Sequence, residues 1–108
     1  MGAVDAVWLS MDSPDNLMVI EGIMTLDGPV DWQRLTDVLQ HRLVDRYPVF
    51  SQVVVAASNP LSMPHWEDAP DFSIAHHLHH ATLPEPGDEA ALQAFVERKM
   101  QEPIDRSR

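Results

Sequence analysis

Four of the six histidines in this 108-residue chain lie within five consecutive positions, in the stretch DFSIAHHLHHATLP. They are His76, His77, His79 and His80. Imidazole is both a frequent metal ligand and a general base suited to neutral pH. The cluster therefore raises three hypotheses, which are a metal site, a catalytic site and a structural strand that carries imidazoles.

The spacing of the histidines favours a structural strand over a metal site. On a strand, alternate residues share a face, so His77 and His79 would lie together, opposite His76 and His80. Zinc needs three or four converging ligands, and the chain has no cysteine. A pair on one face would need further ligands such as His65 or Asp71. We therefore predict that no metal is bound.

The catalytic hypothesis can be tested against one acyltransferase motif, His-His-x-x-x-Asp-Gly, in which the second histidine acts as general base. Counted from His76, the aspartate position holds Ala81. Counted from His79, it holds Pro84. Neither frame fits, so the sequence predicts no catalytic residue in this cluster.

The charge of the chain excludes some partners. The formal net charge is −10, from 17 acidic and 7 basic residues. Nucleic-acid binding depends on basic surface, and anionic headgroups repel acidic proteins, so neither is an expected partner. The first ten residues lack a basic signal-peptide region, and no run of 18 apolar residues occurs. We expect a cytoplasmic location.

Hydrophobic periodicity predicts an α/β (α+β) fold with a mixed sheet and two to three helices. The predicted order is a short helix at 4–11, a strand at 17–26, a helix at 31–46, strands at 49–57 and 72–80, and a helix between Asp88 and Pro103. Residues 58–71, with three prolines, are predicted to be a loop. Both faces of 17–26 are apolar, which is typical of an interior strand.

Four stretches carry a resemblance to a known family: VDAVWLSMDSPDN, RYPVFSQVV, PHWEDAPDFSIAHHLHHATLPEPGDEAAL and EPIDRSR. With these, the chain resembles the N-terminal part of the bacterial wax ester synthase/diacylglycerol acyltransferase family. One segment departs from the pattern. The family often has His-Val-Gly-Gly where this chain has Met18-Val19-Ile20-Glu21-Gly22.

The resemblance implies a partial chloramphenicol acetyltransferase-like half-domain. It implies transfer of an acyl group from acyl-CoA, a co-substrate rather than a bound cofactor, to a long-chain alcohol or diacylglycerol. The family's His-His-x-x-x-Asp-Gly motif follows the segment that matches 105–108. Residues 1–108 are thus expected to be an N-terminal portion that stops before this motif and is inactive alone.

Site residues and partners follow from the same resemblance as expectations. His77 and His79 are candidates for lining the substrate channel, with ordinary sheet packing as the alternative. Arg34, Arg42 and Arg46 suit either a CoA phosphate or a solvated helix face, and the second is favoured. Arg106 and Arg108 are expected to pair with acidic groups in the part of the enzyme that follows residue 108. The full enzyme can associate peripherally with membranes or lipid droplets, and the isolated chain is expected to self-associate. The alternative function is a stand-alone, non-catalytic module that binds lipid or a partner chain.

Overall fold

A computed structural model describes residues 1–107, which contain three α-helices and one two-stranded antiparallel sheet. The helices are α1 (Ala3–Met11), α2 (Trp32–Leu39) and α3 (Glu89–Met100), and the strands are β1 (Gln52–Val55) and β2 (His65–Asp68). This is the mixed α/β class that the sequence predicts.

The two longer predicted helices form close to their predicted bounds, and an aspartate caps each one. The Asp31 carboxylate accepts a hydrogen bond from the Arg34 N–H at 3.1 Å, and the Asp88 carboxylate accepts one from the Ala91 N–H at 2.9 Å. Each bond satisfies a donor that the first helical turn leaves free. Helix α2 continues as a π-helical turn over Gln40–Val44 before Pro48 opens a short 3₁₀ turn. The sequence therefore sets these boundaries to within about one turn.

The sheet confirms one predicted strand and adds another that was not predicted. Strand β1 lies inside the predicted strand 49–57, and it pairs with β2 in a register that places Val54 opposite Trp66. Strand β2 falls in residues 58–71, for which the prediction of a loop was wrong. Two of the prolines there, Pro64 and Pro70, flank β2 without interrupting it, so they do not remove a ladder hydrogen bond.

The predicted strand at 17–26 does not form. Within residues 1–107, no backbone group of 19–26 makes a hydrogen bond. A strand needs hydrogen bonds to a neighbouring strand, and residues 17–26 pair with neither β1 nor β2. The chain bends after this segment at Asp27 and Gly28, and Gly28 has φ +94°, a conformation that favours glycine.

The predicted strand at 72–80 was also wrong. Residues Ile74–His76 form a 3₁₀ turn, in which the N–H of His76 donates to the Ser73 carbonyl at 3.0 Å and that of His77 to the Ile74 carbonyl at 2.9 Å. Local hydrogen bonds of this kind need no partner strand. The apparent two-residue alternation therefore does not describe the arrangement of the histidines.

These elements pack openly. No residue among the described ones is fully withdrawn from solvent, and the surface area is 9104 Å². A folded monomer of this mass exposes roughly 6,100 Å². The radius of gyration is 16.8 Å, against about 13 Å for a compact chain of this length. In this part of the chain, no helix combines the length and apolar character needed to cross a membrane.

Candidate functional site

The candidate site is a half-open cavity of about 400 Å³ beside the 3₁₀ turn, here called the histidine cavity. Its lining residues are Val53, Ala69, Pro70, Asp71, Phe72, His76, His77 and Ser107. The cavity combines two imidazoles and one carboxylate with a mainly apolar wall. Such a mixture of apolar lining and few polar groups is typical of small-molecule sites.

A second cavity of about 190 Å³, the apolar cavity, shares part of the same wall. Its lining residues are Leu39, Leu43, Val44, Phe50, Phe72, Ile74, His77 and Leu78. Phe72 and His77 border both cavities, and their rings stack with centroids 5.3 Å apart and planes 22° apart. The Phe72–His77 stack therefore lies between the histidine cavity and the apolar cavity.

Three elements position this stack. The 3₁₀ turn places His76 and His77 at the same cavity, because its tight winding does not send neighbours to opposite faces. Strand β1 contributes Val53 to the lining of the histidine cavity. The segment after β2 is held against the start of β1 by the N–H of Ala69, which donates to the Ser51 carbonyl at 3.0 Å.

The other histidines lie outside these cavities. His80 stacks on Trp32, at the start of α2, with ring centroids 5.0 Å apart and planes 15° apart. His65 contacts the Glu67 carboxylate at 2.7 Å on β2. His79 lines neither the histidine cavity nor the apolar cavity. The structure thus brings His77 together with His76, and not with His79 as the strand hypothesis predicts.

Within residues 1–107, no group of three or more histidine and carboxylate side chains could hold a metal ion. His65 and Asp71, the suggested additional ligands, do not join the histidines in such a group.

Sequence reasoning missed Asp12, which directly follows α1. Its Oδ1 accepts a hydrogen bond from the Met18 N–H at 2.6 Å, and its Oδ2 accepts one from the Arg106 guanidinium. The Asp12 side chain is only 18% exposed. Arg106 therefore has an acidic partner within the chain, while Arg108 lies outside the described residues. Nothing in the local sequence indicates a contact across 94 positions.

The arginines proposed for a CoA phosphate lie on the surface. Arg34, Arg42 and Arg46 are exposed, and they line neither cavity. This arrangement agrees with a solvated helix face. On the same helical segment, hydrogen bonds from Gln40 and then from His41 lower the pKa of Asp45 below its usual value of 3.8.

Comparison with known families decides the assignment. The family model of the wax ester synthase/diacylglycerol acyltransferase catalytic domain matches the chain over residues 1–108. The chain belongs to the wax ester synthase/diacylglycerol acyltransferase family. Membership implies an acyltransferase that uses acyl-CoA and an alcohol or acylglycerol. The three helices and two-stranded sheet are consistent with part of a domain of this family. No curated protein and no solved structure is significantly similar to the chain.

Proposed function

We propose that this chain is the N-terminal portion of an acyl-CoA-dependent O-acyltransferase that esterifies long-chain alcohols or diacylglycerol. The observation that carries the proposal is the family match over all 108 residues. The product class would be wax esters or triacylglycerol. The cytoplasm is the proposed location, with peripheral contact at membranes or lipid droplets where these water-insoluble acceptors reside.

In the proposed reaction, a histidine general base takes the proton of the acceptor hydroxyl as its oxygen attacks the thioester carbonyl. A carbon–oxygen bond forms, the carbon–sulfur bond breaks, and CoA leaves as a thiol once it has received that proton. The base is the second histidine of the His-His-x-x-x-Asp-Gly motif, which the 108 residues do not contain. We therefore propose that a segment beyond residue 108 supplies the motif.

The contribution of the present chain is a wall of the substrate channel. The apolar cavity suits a hydrocarbon chain, because its lining residues are mainly aliphatic and aromatic. The histidine cavity suits the polar end of a substrate, because Asp71, His76 and His77 supply hydrogen-bonding groups there. His77 borders both cavities, so it is the stronger of the two channel candidates, and His79 is the weaker one.

A binding measurement tests the channel proposal. Titration of the chain with a fluorescent long-chain acyl-CoA should give saturable binding that His77→Ala weakens and His79→Ala weakens less. His65→Ala is the matched control, because His65 lies on β2 and borders neither cavity. Equal effects of all three substitutions would contradict a channel at the Phe72–His77 stack.

The competing function is a non-catalytic module that binds lipid or a partner chain, since an apolar cavity can serve either role. Reading the gene beyond codon 108 separates the two. A continuing frame that encodes His-His-x-x-x-Asp-Gly supports the enzyme, whereas a stop codon supports the module.

The chain of 108 residues should form no ester from acyl-CoA and hexadecanol above the blank. Turnover that depends on His77 would contradict this assignment of the general base.

A further inference from the structure

Residues 104–107, here called the crossing segment, reach two cavities that lie on opposite faces of the sheet. Arg106 borders a cavity of about 290 Å³ beside α1, together with Val54. Ser107 borders the histidine cavity, together with Val53. Val53 and Val54 are neighbours on β1, and neighbouring strand residues project to opposite faces. The crossing segment therefore brings a serine hydroxyl to the face that carries the histidines.

The position of the crossing segment depends on Asp12. The guanidinium of Arg106 donates to Oδ2 of Asp12, and Oδ1 of the same carboxylate accepts from the Met18 N–H at 2.6 Å. Because Asp12 is mostly buried and both of its oxygens are bonded, it gives Arg106 a fixed partner. Ser107 is the next residue in the chain. The contact between Asp12 and Arg106 therefore places the Ser107 hydroxyl at the histidine cavity.

The hydrogen bonds of Ser107 determine what its hydroxyl can offer a ligand. Its Oγ donates to Oδ1 of Asp105 at 2.6 Å, and its N–H donates to the same oxygen at 2.9 Å. A carboxylate oxygen accepts, so the hydroxyl proton of Ser107 is used in the bond to Asp105. The oxygen of a hydroxyl group also has two lone pairs. Towards the cavity, Ser107 therefore acts as an acceptor.

The other polar groups of the histidine cavity favour the same kind of ligand. Asp71 is a second acceptor, because an ionised carboxylate cannot donate. Among the described residues that line the cavity, none is a lysine or arginine. Such basic side chains usually bind phosphate, so the cavity does not suit the anionic part of acyl-CoA. A thioester has no donor at its carbonyl, whereas an alcohol hydroxyl donates readily to an acceptor.

We propose that the histidine cavity binds the hydroxyl end of the acceptor alcohol, with Ser107 Oγ accepting its hydrogen bond and Asp12 acting as a positioning residue through Arg106. The identification of this alcohol as the acyl acceptor rests on the acyltransferase function proposed above. Ser107 and His77 are exposed where they line the cavity, so a ligand can reach them. The apolar cavity, on the other side of the Phe72–His77 stack, is the place for the hydrocarbon chain.

A matched pair of soluble ligands tests the proposed hydrogen bond. 1-Octanol has a hydroxyl proton, whereas octyl methyl ether carries the same hydrocarbon chain on an oxygen that cannot donate. The chain can be titrated with each ligand while proton NMR follows the resonances of its six histidines. 1-Octanol should bind about three- to tenfold more tightly than the ether. Ser107→Ala should lower this ratio towards one, and Ser107→Thr, which keeps a hydroxyl, should retain it.

Ser10→Ala is the matched control for the serine substitution. The Ser10 hydroxyl is exposed on α1, donates to the Val7 carbonyl at 2.7 Å and does not line the histidine cavity. Its loss should leave the ratio of the two affinities unchanged. Equal affinity of the unsubstituted chain for 1-octanol and the ether would overturn the proposed hydrogen bond. A ratio that falls as far in Ser10→Ala as in Ser107→Ala would overturn it as well.

Double substitutions test the positioning role of Asp12. Arg106→Gln and Asp12→Asn each remove the charged contact but keep a hydrogen-bonding side chain, and each should lower the preference for the alcohol. Combined with Ser107→Ala, neither should cause a further change, because the effect is exerted through Ser107. An equal additional loss in the Ser107→Ala background would overturn the positioning role. Arg34→Gln, on the exposed surface of α2, is the control and should leave the preference intact.

Binding of a fluorescent long-chain acyl-CoA to the same chain separates failure of this proposal from failure of the acyltransferase function. If acyl-CoA binds but the preference for the alcohol is missing, the acceptor site is refuted while the acyltransferase function stands. If a preference that depends on Ser107 is present but acyl-CoA does not bind, the alcohol site is supported and the acyltransferase function is refuted.

Discussion

Asp12 joins three separate parts of the chain through a single carboxylate. Its oxygens connect the end of α1, the backbone at Met18 and the guanidinium of Arg106. The two contacts differ in strength. A bond from a half-buried N–H to a carboxylate contributes about 1.5–3 kcal/mol, whereas a partly exposed ion pair contributes about 0–1 kcal/mol.

We predict that Asp12→Asn destabilises the α1 region less than Asp12→Ala does. The asparagine amide oxygen can still accept from the Met18 N–H, while alanine leaves that group unpaired. Trp8 and Trp66 border a cavity with Asp12 and Arg106, so acrylamide quenching of tryptophan fluorescence reports the change. Arg106→Gln should resemble Asp12→Asn. Equal quenching for the asparagine and alanine variants would show that the Met18 bond is unimportant.

The second prediction at the residue scale concerns Asp45, whose pKa is lowered first by the Gln40 amide and then by His41. Because the folded pKa lies below the unfolded value, the stabilisation is present above pH 3.8 and is lost as pH falls through the folded pKa. Circular dichroism should show loss of helix on acidification below about pH 4. Asp45→Asn should remove part of this loss, whereas Asp37→Asn, about two turns earlier and within α2, should not.

At the scale of elements, the sequence predicted helices better than strands, because interactions between near neighbours in the chain determine where a helix begins. The N-caps Asp31 and Asp88 act on residues three positions away, so α2 and α3 were predicted close to their observed places. Strands depend on distant partners. The partner that β1 finds in β2 lay in a stretch judged to be a loop, and 17–26 finds none within residues 1–107.

The sequence also predicted only part of the candidate site. The composition of the cluster singled out His77, but two-residue alternation paired it with His79, and the 3₁₀ turn pairs it with His76 instead. Phe72 was assigned to a strand face rather than to a ring stack. Ring stacking and cavity walls depend on the tertiary path of the chain, which periodicity does not encode.

A prediction for α3 follows from its cap. Asp88→Ala should destabilise the helix by about 1 kcal/mol, because the Ala91 N–H loses its acceptor. Asp88→Ser keeps an oxygen in that position and should cost markedly less. Amide hydrogen exchange in the first turn of α3 measures both. Equal protection of Ala91 in the alanine and serine variants would contradict a capping role.

At the scale of the whole molecule, the dominant fact is the absence of a closed core among the described residues. Hydrophobic burial is the main favourable term in folding, and here it is incomplete. The net charge of −10 opposes association at long range, while apolar contact acts at short range. Dissolved salt weakens the charge repulsion between chains and leaves the apolar contact largely unchanged.

We therefore predict a broad melting transition whose midpoint rises with protein concentration. Calorimetry should give an unfolding enthalpy well below the roughly 75 kcal/mol of a compact domain of this length. Adding sodium chloride from about 0.05 to 0.5 M should strengthen association, because it screens the repulsion between chains. A sharp, concentration-independent melt of a monomer would contradict both expectations.

The stack of Trp32 on His80 has a practical consequence for magnetic resonance. With the rings 5.0 Å apart and nearly parallel, the indole ring current reaches the imidazole carbon-bound protons. Their resonances should shift upfield from random-coil positions and return there in Trp32→Leu. Because the chain has only six histidines, these signals can be resolved in a one-dimensional spectrum. One pair of peaks thus reports whether the segment after the 3₁₀ turn is docked on α2.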